Sequence, residues 1–128
     1  MSATVVICAY ASGRYALLRD AIRSLQAQTL RDVETIVVID HNPALLAVTA
    51  ADFPDVKVIP NDGARGLSDA RNTGMAHATR DIIAFIDDDA AAEPDWLERL
   101  ALHYADPKVV AVGGRITPAW PAGRPLWF

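Results

Sequence analysis

The stretch that decides the fold is DIIAFIDDDA, residues 81–90. Its first half is apolar and rich in β-branched residues, which is typical of a strand covered on both faces. Its second half places Asp87, Asp88 and Asp89 side by side. Crowded carboxylates raise each other's pKa unless a cation relieves them. We therefore predict a buried strand over 81–87 whose carboxyl end carries three aspartates to the edge of a sheet.

Similar apolar runs flank this strand and predict four more strands, over residues 4–10, 34–40, 56–59 and 109–114. Between the strands, apolar residues recur at helical spacing and predict helices over 12–28, 43–51, 66–79 and from Pro94 onward. Pro43 and Pro94 are expected in first turns, and Glu93 or a neighbour as the cap of the last helix. Alternating strands and helices imply right-handed crossovers. The predicted fold class is α/β, a three-layer α/β/α sandwich with a mainly parallel sheet.

Composition excludes several classes of protein. The chain has 128 residues, is 52% hydrophobic and carries a net charge of −4, which indicates one globular domain without the basic surface that nucleic acid requires. Cys8 is the only cysteine, so an internal disulfide is ruled out and a reducing compartment is expected. No run approaches 18 apolar residues, and the amino terminus does not resemble a secretory signal. We expect a cytoplasmic location, with any membrane association supplied by sequence outside this chain.

The last residues differ in character from the rest. The segment RITPAWPAGRPLWF, 115–128, combines proline, glycine and aromatic residues without periodicity. Trp120, Trp127 and Phe128 are costly to expose to water. We therefore expect the surface that covers them to lie in sequence beyond this chain.

In a parallel sheet, ligands bind outside the carboxyl ends of the strands, near the point where the strand order reverses. The candidate site residues are those that follow the first, second and fourth predicted strands, namely Ala9, Tyr10, Asp40, His41, Asp87, Asp88 and Asp89. Four carboxylates thus converge on one rim. A solvated turn with a helix cap would explain an Asp run. Its position after a buried strand favours a divalent cation held together with substrate phosphates.

The other candidates each allow two interpretations. Arg71 falls on an otherwise apolar helix face, so its head contacts either a phosphate at the rim or water and a local acid such as Asp69. Asp40 and His41 are either turn residues or ligand contacts. Tyr10 either stacks on a base or covers the sheet edge.

Four stretches in this order resemble the amino-terminal half of a family 2 glycosyltransferase, which has the GT-A fold. They are VVICAYASGRYALLRDAIRSLQAQTL, VETIVVIDHN, GLSDARNTGMAHATRDIIAFIDDDA and PDWLERL. The resemblance covers nearly the whole chain. It implies a donor-binding portion over 1–114, and a segment at 115–128 that leads into an acceptor-binding part absent from this chain.

The resemblance also implies a nucleotide-sugar site, with a UDP- or GDP-sugar as donor and Mn²⁺ or Mg²⁺ as cofactor. In such enzymes the loop with Ala9 and Tyr10 borders the base, and Asp40 lies beside it. The helix with Arg71 backs the nucleotide. The early aspartates of the DxD element, here Asp87 and Asp88, meet the ribose, while Asp89, with Asp87 beside it, meets the metal. Such enzymes generally invert the anomeric centre, with a carboxylate base that deprotonates the acceptor.

Two departures from the family pattern affect these expectations. The second strand ends in DHNP, with His41 where an acid or amide followed by Gly-Ser is usual, and the first loop has Cys8-Ala9 where Pro-Thr is common. The catalytic residue is left unknown, because the segment that carries the base in the family is not in this sequence. The acceptor, a saccharide or a lipid-linked sugar, is also left open.

Two other functions remain as alternatives. A non-catalytic nucleotide-sugar binding module would need no base. A sugar-phosphate nucleotidyltransferase shares the fold but needs a glycine-rich basic loop after the first strand, where AYASGRY has one glycine. A dinucleotide dehydrogenase needs G-x-G-x-x-G at that place and is excluded.

Overall fold

The computed structural model describes residues 1–127 and contains one sheet of four parallel strands in the order β3-β2-β1-β4. Along the chain the elements are β1 (Ser2–Ala9), α1 (Tyr15–Gln26), β2 (Asp32–Ile39), α2 (Pro43–Asp52), β3 (Lys57–Pro60), α3 (Leu67–His77), β4 (Ile82–Phe85) and α4 (Trp96–Leu102). Short 3₁₀ turns occur at Ser12–Arg14 and His103–Ala105. The predicted α/β class and parallel sheet are confirmed.

The sheet is covered on both faces because its central strands are apolar on both faces. Val5 and Ile7 of β1 point into the larger core, where they pack with α1, α2 and α4. The α1 helix contributes a stripe of buried side chains to this core, Leu18, Ala21, Ile22 and Leu25. Val6 points the opposite way and packs with Ala70 of α3. This arrangement gives the three layers that the sequence predicts.

The α3 helix lies unusually close to the sheet at Gly74. A Cβ atom placed there would lie 2.4 Å from Cγ1 of Val6 and 3.3 Å from Cγ2 of Val38. Only glycine therefore allows the helix to approach β1 and β2 to this distance. The position of α3 matters for function because its first turn borders the cavity described below.

We expect Gly74→Ala to lower the free energy of unfolding by about 1–3 kcal/mol, the usual effect of overpacking. Helix propensity alone would favour alanine by about 1 kcal/mol, so a net loss would identify the contact with Val6. Urea unfolding monitored by circular dichroism measures the change. Gly113→Ala is the control, since no heavy atom lies within 4 Å of a Cβ there. A stabilised Gly74→Ala variant would contradict the close approach.

The predicted fifth strand over 109–114 is wrong. These residues form no strand, and Val110 is 90% exposed. Its last residue, Gly114, lies beside α4, where a Cβ would be 3.2 Å from Nε1 of Trp96. A β-branched run becomes a strand only where a sheet edge pairs with it, and within residues 1–127 this run pairs with no strand.

The start of the last helix also differs from the prediction. Helix α4 begins at Trp96 with Asp95 as its N-cap, so Pro94 precedes the helix and Glu93 is not the cap. The carbonyl of Pro94 accepts a hydrogen bond from the Thr29 amide at 2.8 Å. This bond holds the turn before α4 to the end of α1, and the helix starts only after it.

The carboxyl-terminal segment that is described, 115–127, contains no helix or strand, and Trp127 is 83% exposed. Phe128, which the sequence analysis groups with these aromatic residues, lies outside the described residues. The proposed division of the chain at residue 114 stays a prediction. Within residues 1–127, no helix has both the length and the apolar character needed to cross a bilayer.

Candidate functional site

The order of the strands reverses between β1 and β4, since β2 and β3 follow β1 on one side and β4 lies on the other. A cavity of about 500 Å³ opens at this point, outside the carboxyl ends of the strands. Its wall is formed by the ends of β1, β2 and β4, by the 3₁₀ turn before α1 and by the first turn of α3. This is where a ligand of an open α/β sheet is expected.

The three aspartates that follow β4 lie in this wall in different orientations. The side chain of Asp88 is only 10% exposed, whereas those of Asp87 and Asp89 are 70% and 52% exposed. The chain turns here, and the amide of Ala90 donates to the carbonyl of Asp87 at 3.2 Å. Asp87 and Asp89 are therefore open to solvent, while Asp88 is turned inward.

Arg14 bridges Asp88 and Asp89. Its Nη2 atom lies 2.9 Å from Oδ1 of Asp88 and 2.9 Å from Oδ2 of Asp89, so one nitrogen bridges both carboxylates. Burial raises the pKa of Asp88 above its ordinary value; the Arg14 charge opposes this rise, and the two neighbouring aspartates add to it. Even with Arg14 in place, the turn retains unrelieved negative charge.

Arg71 stands beside the cavity rather than in its wall. Its Nη2 lies 3.8 Å from Oδ1 of Asp87, and its guanidinium carbon lies 5.5 Å from the centre of the Phe85 ring. Asp69, the local partner considered from the sequence, instead accepts a hydrogen bond from the Ala64 amide at 2.8 Å. The Arg71 head is thus directed to the acidic end of β4.

Asp40 is buried at the end of β2 and is fully engaged by protein donors. Its Oδ1 accepts from the Asn61 amide group at 2.9 Å and from Nδ1 of His41, and its Oδ2 accepts from the Gly66 amide at 2.8 Å. Burial alone would raise its pKa, but these hydrogen bonds from Asn61, His41 and Gly66 outweigh burial and lower it. Asp40 lines the cavity, and it also fixes the loop that leads into α3.

That loop, residues 61–66, is held in one conformation by a set of hydrogen bonds. Asn61 accepts from the Gly63 amide at 3.1 Å and from the hydroxyl of Thr73 at 2.9 Å. Gly66 has a φ of 133°, a value that side chains other than hydrogen rarely permit. The loop therefore presents Gly66 and Arg65 to the cavity in a fixed arrangement.

His41 follows Asp40 with a φ of 52°, in the left-handed region. Its ring is held by Asp40, as described above, and it does not form part of the cavity wall. The structure therefore places His41 as a partner of Asp40 behind the wall. A direct contact between His41 and a ligand stays a prediction.

The end of β1 supplies Cys8, Ala9 and Tyr10 to the wall. Tyr10 is 64% exposed, and its carbonyl accepts from Nδ2 of Asn42 at 3.0 Å, which ties the loop after β1 to the one after β2. Burial raises the pKa of Cys8 to about 11, with Arg71 opposing the rise. Cys8 is therefore a neutral thiol and is unsuited to act as a nucleophile at pH 7.

Sequence reasoning did not find two cationic residues of the wall, Arg14 and Arg65. Arg14 lies in the 3₁₀ turn before α1 and Arg65 in the loop before α3, and neither belongs to an apolar stripe whose spacing would give its direction. The available signal was electrostatic, because a triple aspartate needs a positive partner, and Arg14 lies in the loop after the first strand. Among residues 1–127, no three Asp, Glu, His or Cys side chains form a ready metal group. A cation here would need ligands from a bound substrate as well.

Comparisons with known proteins agree with this geometry. The sequence model of the family described as "Glycosyl transferase family 2" matches residues 4–124. A glucosyl-dolichyl phosphate glucuronosyltransferase of Haloferax volcanii is 39% identical over 132 aligned residues, which cover 100% of this chain and 42% of that protein. The chain thus spans less than half the length of that relative.

Two solved structures share the fold. A mannosyltransferase of Pyrobaculum calidifontis, in complex with GDP-Man and Mn²⁺, superimposes with a TM-score of 0.70 and 26% identity, over 84% of this chain and 33% of that one. The 1–349 portion of S. aureus TarS, in complex with UDP-GlcNAc, gives a TM-score of 0.67 at 21% identity, over 93% of this chain and 37% of that one. The second likeness is evidence of the fold alone.

Proposed function

This chain belongs to glycosyl transferase family 2, and from that premise we propose that its cavity binds a nucleotide-diphospho-sugar, a UDP- or GDP-sugar, as the donor of sugar transfer. The observation that carries the proposal is the position of Asp87, Asp88 and Asp89 in the wall of the cavity at the strand-order reversal. The complex of the Pyrobaculum calidifontis mannosyltransferase with GDP-Man and Mn²⁺ supports the donor class. Uracil and guanine both remain candidate bases.

The residues on the wall suit a divalent cation that is shared with a diphosphate. Asp87 and Asp89 are exposed carboxylates, two hard oxygen donors of the kind that Mg²⁺ or Mn²⁺ combines with substrate phosphates. A guanidinium nitrogen of Arg14 lies 2.9 Å from both Asp88 and Asp89, so this turn already binds one positively charged group of the protein. We propose Asp89 and Asp87 as the protein ligands.

Each part of the wall has a task in this proposal. When bound, the cation supplies Lewis-acid support to the departing nucleoside diphosphate, whose negative charge grows as the glycosidic bond breaks. We propose that the exposed Tyr10 ring contacts the base and that Asp88, which lies behind the exposed pair, contacts the ribose. Asp40 keeps Gly66 and Arg65 in place beside the nucleotide, and Arg71, next to Asp87, adds positive charge on the diphosphate side.

Transfer with inversion at the anomeric carbon is proposed for the whole protein rather than for this segment. A carboxylate base would then remove the acceptor proton. None of the described residues is assigned that role, since the four aspartates of the cavity wall serve the donor. The name of the Haloferax relative, which acts on a glucosyl-dolichyl phosphate, makes a lipid-linked sugar our proposed acceptor class.

Because no base is assigned, donor binding without transfer is the second candidate function of this chain. Both candidates predict the same donor site and differ only in turnover. Hydrolysis of a donor sugar, or transfer from it, measured with this chain separates them.

Calorimetry with UDP and GDP tests the proposed donor site. We expect binding in the presence of Mn²⁺ and at least about tenfold weaker binding in a chelator, because two unscreened aspartates would then face the diphosphate. Uridine and guanosine are the control ligands, since they lack the diphosphate and should show no Mn²⁺ dependence. If each nucleotide bound with the same affinity in Mn²⁺ and in the chelator, the result would contradict the proposed site.

A further inference from the structure

Arg14 occupies the point where positive charge is needed, although it lies on a different element from the aspartates. It ends the 3₁₀ turn before α1, whereas Asp88 and Asp89 follow β4. A single nitrogen, Nη2, makes both contacts at 2.9 Å, as a point cation between two carboxylates would. The Arg14 head and a divalent cation therefore compete for the same carboxylate of Asp89.

The backbone of Arg14 is fixed, whereas its partly exposed side chain can turn once its two ion pairs are exchanged for another partner. The Arg14 amide donates to the Ala11 carbonyl at 3.1 Å, and Ser12, two residues earlier, accepts from Asn42 at 2.8 Å. On the other side, the Tyr15 hydroxyl donates to Asp52. The side chain itself is 37% exposed and lines the cavity, so rotation about its own bonds moves the guanidinium across the opening.

The chemistry of the guanidinium gives it a second partner once a donor binds. Its planar fork of donors matches the oxygens of a diphosphate and forms charge-assisted hydrogen bonds with them. Moving from Asp89 to the diphosphate would leave the Asp89 carboxylate to the cation. The charge on Asp89 is relieved in both states, first by Arg14 and then by the cation.

We propose that Arg14 is a positioning residue that pairs with Asp88 and Asp89 before the donor arrives, competes with a divalent cation for Asp89, and then contacts the donor's diphosphate. This proposal rests on the donor site proposed above. It makes the binding of cation and donor cooperative, because the diphosphate draws Arg14 away from the carboxylate that the cation needs.

The test is a pair of titrations on Arg14→Gln. Without nucleotide, we expect Mn²⁺ to bind the Arg14→Gln variant about tenfold more tightly than it binds wild type, since the competing charge is gone. The electron paramagnetic resonance signal of free Mn²⁺ measures this binding. At saturating Mn²⁺, UDP and GDP should bind about tenfold more weakly, since the diphosphate loses a charge-assisted partner. The decisive feature is that the affinity for Mn²⁺ rises while the affinity for the nucleotides falls, because a merely structural role would weaken the binding of both ligands.

Two further variants sharpen the result. Arg65→Gln removes the same charge from the same wall but touches neither Asp88 nor Asp89, so its Mn²⁺ affinity should stay within about twofold of wild type. Arg14→Lys keeps the charge without the fork. It should leave the affinity for Mn²⁺ alone near that of wild type and still bind the nucleotides several-fold more weakly.

Each contrary outcome overturns a stated part. Unchanged or weaker binding of Mn²⁺ alone by a folded Arg14→Gln variant, or an equal gain in Arg65→Gln, overturns the competition. If Arg14→Gln does not fold, the nucleotide affinity of Arg14→Lys decides, and an unchanged value overturns the contact with the diphosphate. If wild-type protein binds UDP and GDP as tightly in a chelator as in Mn²⁺, the proposed donor site is overturned instead. A failure of the Arg14 proposal can therefore be distinguished from a failure of the donor site.

Discussion

Replacing Asp89 with alanine is expected to reduce the affinity for Mn²⁺-bound UDP or GDP by about 100-fold, the scale of removing a metal-site group. The free energy of unfolding should stay within about 0.5 kcal/mol of wild type, as for most surface substitutions. The reason is that the Asp89 side chain is 52% exposed and, among residues 1–127, is held only by Arg14, which retains Asp88 as a partner. Calorimetry and urea unfolding measure the two quantities on the same sample.

Asp32→Ala is the matched control for Asp89→Ala. The Asp32 side chain is similarly exposed, at 57%, and pairs with an arginine, Arg80, at 2.8 Å, but it lies at the amino end of β2, on the opposite rim of the sheet. Its removal should leave nucleotide affinity unchanged. A large loss of stability in Asp89→Ala, or an affinity equal to that of the control, would mean that Asp89 caps the turn and does not hold a cation.

The second large effect is expected at Asp40, on stability rather than on binding. Asp40→Asn should lower the free energy of unfolding by about 2–3 kcal/mol at pH 7, the scale of hydrogen bonds to a buried charge. The Asn61 side chain and the Gly66 amide donate to different oxygens of Asp40, and in asparagine one of these positions is an NH₂ group that cannot accept. The loop over 61–66 would then lose its anchor to β2.

The pH dependence of this effect follows from the lowered pKa of Asp40. A carboxylate whose pKa is lower in the folded than in the unfolded protein stabilises the fold above the unfolded pKa, about 3.9, and the stabilisation is lost as the pH falls through the folded value. The difference between wild type and Asp40→Asn should therefore be full at pH 7 and shrink below about pH 4. Urea unfolding over this range measures it.

Asp62→Asn provides the control for Asp40→Asn, because Asp62 lies in the same loop and its Oδ1 shares the single proton of the Thr73 hydroxyl with Asn61, a contact that an amide oxygen can also accept. It should cost little at any pH. A stability difference for Asp40→Asn that stays constant between pH 7 and pH 3 would show that the Asp40 charge is not what anchors the loop.

The sequence predicted the parallel sheet well because burial on both faces leaves a direct mark on composition. The runs over 4–10 and 34–40 are apolar at almost every position, and they became the two central strands β1 and β2. The stripe that predicted α1 is buried as expected. These features depend on local periodicity and need no knowledge of what lies across the fold.

The errors occurred where a distant partner decides the local structure. The 109–114 run has the composition of a strand, but among the described residues it pairs with no strand, and its last residue, Gly114, lies beside α4. Pro94 is suited to a first helical turn, but the bond from the Thr29 amide to its carbonyl holds it outside the helix. Neither α4 nor Thr29 can be identified as a partner from the sequence of the segment itself.

The candidate site was predictable to the same extent. The carboxyl ends of β1, β2 and β4 had to share a rim, so the convergence of Ala9, Asp40 and Asp87 on one cavity follows from the parallel order of the strands. The orientation of each side chain was not predictable. Asp40 is committed to the loop before α3, and Arg14 bridges two aspartates from the 3₁₀ turn before α1, where no apolar periodicity gives its direction.

The most direct test of the central claim, that the Asp87–Asp89 turn holds a divalent cation together with a nucleoside diphosphate, is paramagnetic broadening of backbone amide resonances by Mn²⁺. With UDP or GDP present, we predict that trace Mn²⁺ erases the resonances of Asp87–Asp89 and of Ala9 and Tyr10 across the cavity. The resonance of Thr79, at the opposite rim where its amide donates to Glu34, should keep its intensity. Broadening centred away from the turn, or identical broadening without the nucleotide, would contradict the account.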